Sequence, residues 1–385
     1  MHCAVAPEPE GLNQEGQHQA GFWYLFRHDD VSSALKDPRL GRELHRVSRA
    51  EAAARVPEAH RPFYEMAGKW MLYRDPPDHT RLRSLVNKAF MPRVVQDLRP
   101  RLQVLAGSLL DAAERGGSMD LIADYAFDLP LLGIATLLGV RTADLAQFRQ
   151  WSNALSAAID QNRTPGVYEQ ASQATIALSA YFREILAERR QSPQDDLMSG
   201  LIAAEEKSGH LSEEEVVATC ILLLGAGQET TVDLIGNSVL ALLRHPDQME
   251  LLRAQPSLLP SAIEELLRYD SPVQMTARVA LEDVEIGGRR IQQGAKITMV
   301  LGSANRDPEL FPDPDRLDLT RGAKGHLCFG LGIHFCLGAQ LAHLSGQIAL
   351  STLLGRFPNL RLATQAPEWR DGPVFRGLKR LPVSF

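Results

Sequence analysis

The sequence predicts a mainly helical chain that carries small β-sheets. Three observations give this class. From about residue 76 to 270, apolar residues recur at helical spacing, broken at the turn signals "MPR" (91–93), "RGG" (115–117), "NRTPG" (162–166) and "QSPQDD" (191–196). Residues 276–300 instead alternate apolar and polar around a Gly-Gly pair, the pattern of paired short strands. Residues 306–326, "RDPELFPDPDRLDLTRGAKGH", hold neither period and read as a long ordered surface meander, a loop of the kind that serves a site.

Composition sets the outer bounds. With 385 residues, 44% hydrophobic and 23% charged, the chain has the material for a packed core. Residues 21–385 are expected to form one domain behind a loosely ordered segment at 1–20. A net charge of −6 argues against a nucleic-acid binder, which would show a basic face or tail. No apolar run reaches membrane-span length, and the start "MHCAVAPEPEGLNQEGQHQ" lacks a basic-then-apolar leader, so the expected location is the cytoplasm. The four cysteines form no CxxC pair, which leaves each thiol to be explained singly.

Near the start, "FWYLF" (22–26) reads as a short strand, and Asp30 as the cap of a helix beginning near Val31. The segment "LSEEEVVATCILLLGAGQETTVDLIGNSVLALLRHPD" opens on a capping box, Ser212 with Glu215, and stops before Pro246. About 30 residues at ~1.5 Å each give roughly 45 Å, enough to cross a domain. Its apolar run is interrupted by "GAGQETT", where two glycines weaken the helix by about 1 kcal/mol each. Thr230 can turn its hydroxyl to the Ala226 carbonyl, and Gly227 removes a side chain beside it. The expected result is a polar notch fit for a diatomic ligand or a water, with Glu229 nearby as a proton source. A glycine-bearing helix packed closely on a neighbour gives the same letters.

"GLGIHFCLG" (330–338) places three glycines around one thiol. Leu337, Leu341, Leu344 and Ile348 then repeat at helical spacing, so Cys336 stands at or just before a helix N-terminus, where dipole and free amides favour a thiolate. Gly330, Gly332 and Gly338 would let the backbone approach something large and flat. A dinucleotide fingerprint fails because Phe335 takes the third glycine's place. A nucleophilic cysteine with His334 as base is the weaker option, since near neighbours in sequence seldom align. A thiolate on haem iron fits better, because it favours O–O cleavage and would use an acid-and-hydroxyl notch opposite.

At these residues the sequence resembles the cytochrome P-450 family of haem-thiolate monooxygenases, over nearly its whole length. The resemblance rests on "FGLGIHFCLG", "AGQETT", "EELLR", "DPPDHTRLR" and "DPDRLDLTR". It implies the family's fold, with haem b between the long central helix and the cysteine loop. Cys336 would then be the axial ligand and the metal's one protein partner, with Ala226, Phe329, Gly330 and Gly338 beside the cofactor. Glu229 and Thr230 would deliver protons, with Thr231 as the fallback hydroxyl. With Asp75 capping and Pro76 at the first helical position, His79 and Arg83 fall one turn apart on one face, two cations suited to haem propionates. Arg278 and His334 would complete that set. Glu265 and Arg268, three apart on a helix, would join Arg316 of the meander in holding the cysteine loop.

The resemblance also has departures. The chain ahead of "FWYLF" is short for the family, and Cys328 stands where a small apolar residue is common, a packing role. His343 and Ser345 replace the more usual Arg and Glu on the side where an electron donor docks. Met66, Trp70, Leu72, Leu223, Val273, Met275 and Phe375 would make an apolar pocket for a lipophilic substrate. The expected activity is insertion of one oxygen atom from O2, with electrons from a separate ferredoxin- or flavodoxin-type partner and its NAD(P)H reductase. Peroxide-driven oxygenation is an alternative that retention of Glu229 and Thr230 disfavours, and a non-catalytic haem-thiolate sensor is another.

Overall fold

The computed structural model describes residues 21–43, 56–161, 164–208, 211–364 and 366–385. The expectation for residues 1–20 lies outside them. The chain opens with strand β1 (Phe22–Leu25), helix α1 (His28–Lys36) and β2 (Leu40–Gly41), and resumes with α2 (Arg61–Ala67), α3 (Asp78–Val86), α4 (Pro92–Asp97), α5 (Arg99–Glu114) and β3 (Ser118–Asp120). Seven helices follow: α6 (Asp128–Leu138), α7 (Leu145–Ile159), α8 (Val167–Gln191), α9 (Leu197–Ser208), α10 (Glu213–Arg244), α11 (Pro246–Ala254) and α12 (Leu259–Tyr269). Strands β4 (Met275–Ala280), β5 (Val284–Ile286), β6 (Arg289–Ile291) and β7 (Lys296–Val300) come next, then α13 (Leu301–Ala304) and α14 (Ala339–Arg356). Four short strands, β8 (Arg361–Leu362), β9 (Glu368–Trp369), β10 (Leu378–Arg380) and β11 (Pro382–Ser384), close the chain. This is the mainly helical fold with small sheets that the sequence predicts.

The larger sheet has the order β1-β7-β4-β2. Its edge strand β1 runs parallel to β7 with Leu25 opposite Met299, and β4 runs antiparallel to β7 with Ala277 opposite Thr298. The β5–β6 hairpin turns at Gly287 and Gly288, whose φ of 56° and 73° explain the glycine pair. A second sheet, β3-β11-β8, ties residues 118–120 to the C-terminus. The meander 306–326 contains turns but no regular strand or helix.

Two apolar clusters form the core. The smaller packs α1 beneath the larger sheet through Leu25, Val31, Leu35, Ile297 and Met299. The larger surrounds α10, which spans 32 residues from the expected capping box: Ser212 Oγ accepts from the Glu215 amide at 3.3 Å, and Glu215 accepts from the Ser212 amide at 2.9 Å. With each buried Leu, Ile or Val contributing about 1.5–3 kcal/mol, that helix is the spine of the molecule. Among the described residues no helix is long and apolar enough to cross a membrane.

Two expected caps are corrected. Helix α1 begins at His28, so Asp30 lies within its first turn, and the His28 amide is served by the distant Asp307 carboxylate at 2.8 Å. Asp75 does not cap α3 with its side chain. Its buried carboxylate accepts instead from the amides of Arg42 (2.8 Å) and Glu43 (3.1 Å), pinning the exit from β2, while its backbone carbonyl accepts from His79.

Candidate active site

Between residues 216 and 242 every position of α10 is buried except Ala226, Gly227 and Thr230. Spaced i, i+1 and i+4, these three share one face, so the helix has a single small opening in its apolar sheath. The helix runs unbroken through it. Thr230 Oγ1 donates to the Ala226 carbonyl at 3.2 Å and Thr231 Oγ1 to the Gly227 carbonyl at 3.1 Å, but Thr231 is buried. The two glycines differ in cause. A Cβ on Gly225 would meet Leu155 of α7 at 3.3 Å, so packing requires that one, whereas at Gly227 it would make only ordinary contact with Ile134. Glu229, about 100° round the helix from Thr230, is buried and paired with Arg370.

Cys336 is half-buried three residues before the start of α14, and its amide donates to the Phe329 carbonyl at 2.8 Å, which closes the loop. Burial pushes its thiol up, while the Gly338 amide and the Arg83 guanidinium pull the other way. Gly330 adopts φ 67°, which a residue with a Cβ rarely does. Gly332 serves the fold: a Cβ there would lie 2.7 Å from the Leu35 carbonyl, so the loop is seated on the end of α1. Gly338 has open space around its Cα. The Phe329 ring sits 5.0 Å from that of His343 and 6.3 Å from that of Phe335.

The expected cations gather beside this loop. The His79 and His334 rings lie 4.2 Å apart, and among the described residues His79 Nδ1 and His334 Nε2 are buried without a hydrogen-bond partner. Arg83 donates to the Phe335 carbonyl at 2.7 Å. Burial, reinforced by Arg42, brings Arg278 down to about 9, and burial together with Arg42, Arg278, His79 and Arg83 drives His334 down to about 2. The sequence reading missed Arg42, which follows β2 with no local signal and donates to the Leu72 carbonyl (2.9 Å) and Thr276 Oγ1 (2.6 Å). Buried cations and partnerless ring nitrogens call for an anion. One thiol beside such a cradle fits an iron porphyrin bearing carboxylates.

Glu265 and Arg268 are both fully buried and paired bidentately, Nε–Oε2 at 2.7 Å and Nη2–Oε1 at 2.9 Å. Arg268 Nη1 also donates to the carbonyls of Asn305 (3.0 Å) and Pro314 (2.9 Å). The third member is Arg321, not Arg316. Arg321 Nε reaches Glu265 Oε1 at 3.1 Å with its side chain 14% exposed, whereas the Arg316 side chain is 68% exposed and lies 4.0 Å from Asp318 Oδ2. Arg316 contributes its backbone carbonyl, which accepts from both Arg268 and Arg321. Asn305 links this cluster to the cysteine loop: its Oδ1 accepts from the Leu327 amide at 2.6 Å, and its Nδ2 lies 3.1 Å from Cys328 Sγ. The Cys328 thiol donates to the Leu267 carbonyl at 2.8 Å, so it is a hydrogen-bonded packing residue.

Of the expected pocket residues, Trp70 sits deepest. It is 0% exposed, stacked on Tyr73 and edge-on to Phe63 within the core, and its indole Nε1 is buried without a hydrogen-bond partner among the described residues. Met66, Leu223 and Phe375 keep slight exposure, and Leu72, Val273 and Met275 are half-buried. Val273 pairs with Phe375, joining two of the expected pocket residues.

On the outer side of α14, Ser345 is buried and does not reach a docking surface. His343 and His326 share Glu264, at 2.6 Å and 2.7 Å. Burial alone would raise the Glu264 carboxyl, but hydrogen bonds from the two imidazoles outweigh it and bring it down to about 2. Because the folded-state value is depressed, the stabilisation is present above the ordinary value of 4.5 and is lost as pH falls from there toward 2. Thermal unfolding over that window is therefore expected to show a steeper loss in the parent than in Glu264→Gln. Equal slopes would contradict the brace.

The comparisons agree with this geometry. The family described as Cytochrome P450 matches residues 146–372. Cytochrome P450 107B1 of Saccharopolyspora erythraea is 46% identical over 365 residues, covering 94% of this chain and 88% of that protein. Vitamin D(3) 25-hydroxylase of Pseudonocardia autotrophica is 44% identical over 370 residues, with coverage of 94% and 88%. Among solved structures, P450BioI in complex with an acyl carrier protein ligated with hexadec-9Z-enoic acid matches with a TM-score of 0.88 at 40% identity, covering 95% and 92% of the two chains. A conserved-length match of this kind, on a fold that presents one thiol beside a cation cradle, shows that this chain belongs to the cytochrome P450 family of haem-thiolate monooxygenases.

Proposed function

We propose that this chain holds haem b through Cys336 and inserts one oxygen atom from O2 into a lipophilic small molecule, by hydroxylation or epoxidation. Its electrons come from a separate ferredoxin- or flavodoxin-type donor. The observation that carries this reading is the single opening in α10 at Ala226, Gly227 and Thr230, a polar notch in an otherwise sealed helix. When bound, a thiolate-ligated iron porphyrin supplies the redox chemistry for O–O cleavage. His79, Arg83, Arg278, His334 and the newly found Arg42 would hold its carboxylates, with Phe329, Gly330 and Gly338 lining its thiolate side.

The chain's own residues then manage protons and water. Thr230, hydrogen-bonded to Ala226 and open on one side, can pass a proton into the notch, and the carboxyl of the adjacent Glu229 can replenish it. Buried Thr231 is the weaker candidate. Met66, Leu72, Leu223, Val273, Met275 and Phe375 exclude water and select apolar ligands. P450BioI was solved with a fatty acyl chain on a carrier protein, and a myxobacterial P450 with myristic acid, so long-chain acyl compounds are the first to screen by spin-state shift.

With any compound so found, Glu229→Gln and Thr230→Ala are each expected to lower product formed per reduced donor by about a hundredfold, the lower end of what positioned proton-transfer groups contribute. Coupled turnover surviving both changes would refute dioxygen activation at this notch. It would return peroxide-driven chemistry or a sensor role to first place.

A further inference from the structure

Arg370 leaves the end of β9 and reaches into the body of the molecule. One arm of its guanidinium pairs with Glu229 and the other with Asp233, one turn further along α10. Its amide donates to the Gly377 carbonyl at 2.9 Å, closing the turn that carries Phe375. The same turn is held from a third direction: Asp160, at the end of α7, accepts from the amides of Val374 (2.9 Å) and Phe375 (2.7 Å). It is also paired to residues 272–274 around the expected pocket residue Val273, the Gln274 amide donating to the Val374 carbonyl and the Arg376 amide to the Pro272 carbonyl, both at 2.8 Å. Glycine is required twice. A Cβ on Gly372 would overlap Asp160, and one on Gly377 would overlap Asp233 and Arg370.

We propose that Arg370 is a positioning residue that ties the proton-delivering Glu229 to the substrate-contacting turn 372–377, so that occupancy of the pocket and availability of Glu229 are coupled. This rests on the roles given above to Glu229 and Phe375.

Charge counting supports the tie. Three buried carboxylates, Asp160, Glu229 and Asp233, surround one guanidinium, while the neighbouring Asp270 is matched by Arg376. Burial, with Asp160 and Asp270 nearby, pushes the Asp233 carboxyl well up, and burial raises Asp160 too. Arg370 is therefore the one cation in contact with these acids among the described residues, and its fork spans two α10 positions along one side of the notch. A shift of the turn on ligand entry moves the guanidinium, and with it the partner of Glu229.

The test uses the haem-loaded protein and two readouts. The first is the rate at which dithionite-reduced protein returns to its ferric spectrum on mixing with oxygenated buffer, followed against pH. The second is the dissociation rate of 4-phenylimidazole, a probe of the pocket. Arg370→Gln is expected to move the acid limb of the first profile up by one pH unit or more and to speed dissociation at least tenfold, with Arg370→Lys restoring both toward the parent. Glu229→Gln should abolish the limb in either background. A limb unmoved by Arg370→Gln, even with lower thermal stability, overturns the role of Arg370 and leaves Glu229 its own. An unchanged dissociation rate overturns the tie to the turn. A limb that survives Glu229→Gln in the parent overturns instead the proton-delivery reading beneath it. If Arg370→Gln fails to retain haem, Arg370→Lys against Arg370→Lys with Glu229→Gln carries the same comparison.

Discussion

Arg268→Ala is expected to yield little or no folded, haem-loaded protein. Removing the guanidinium leaves Glu265 as a buried carboxylate whose bidentate partner is gone, and strips donors from the carbonyls of Asn305, Pro314 and Arg316. Breaking one side of a buried pair costs about 3–5 kcal/mol. A domain holds only about 5–15 kcal/mol in all. Glu265→Gln removes the charge that also binds Arg321 and the Asp318 amide, and belongs in the same range. Arg316→Ala is the contrasting control: its exposed side chain does little while its carbonyl survives the substitution, so the change should stay within about 0.5 kcal/mol. Denaturant unfolding of the set checks the order. Equal losses at 268 and 316 would mean that the cluster is assigned wrongly.

Cys336→Ser is expected to separate fold from chemistry. The change is nearly isosteric at a half-buried site, and the loop keeps the Cys336-to-Phe329 backbone bond and the left-handed Gly330, so stability should shift by about 1 kcal/mol or less. Oxygenation should nonetheless fall to background, because a serine hydroxyl stays protonated where a metal-bound thiol does not. Donor-driven turnover that persists in this variant would contradict thiolate ligation.

What was legible in the sequence was whatever depends on near neighbours. The capping box of α10 is an i, i+3 relation, the β5–β6 turn is a glycine pair, and the cysteine loop is a nine-residue motif, so each announced itself. Relations across the chain did not. Arg316 and Arg321 lie five apart in a meander with no period, and only the fold decides which one turns inward to Glu265. Arg42 and Arg370 are lone cations in short connections, with their partners on other elements. Asp75 before a double proline reads as a cap, yet its carboxylate does more by holding the amides of Arg42 and Glu43. Trp70 shows a limit of another kind: an apolar residue beside a pocket and one in the core look alike until burial is known.

Every role proposed for the site depends on Cys336 as the iron's ligand. The most direct measurement is the carbon monoxide difference spectrum of the dithionite-reduced protein beside Cys336→His. A strongly red-shifted Soret band is expected in the parent and is lost in the variant. A parent that takes up no haem, or one whose band is that of a histidine-ligated haem, would contradict it.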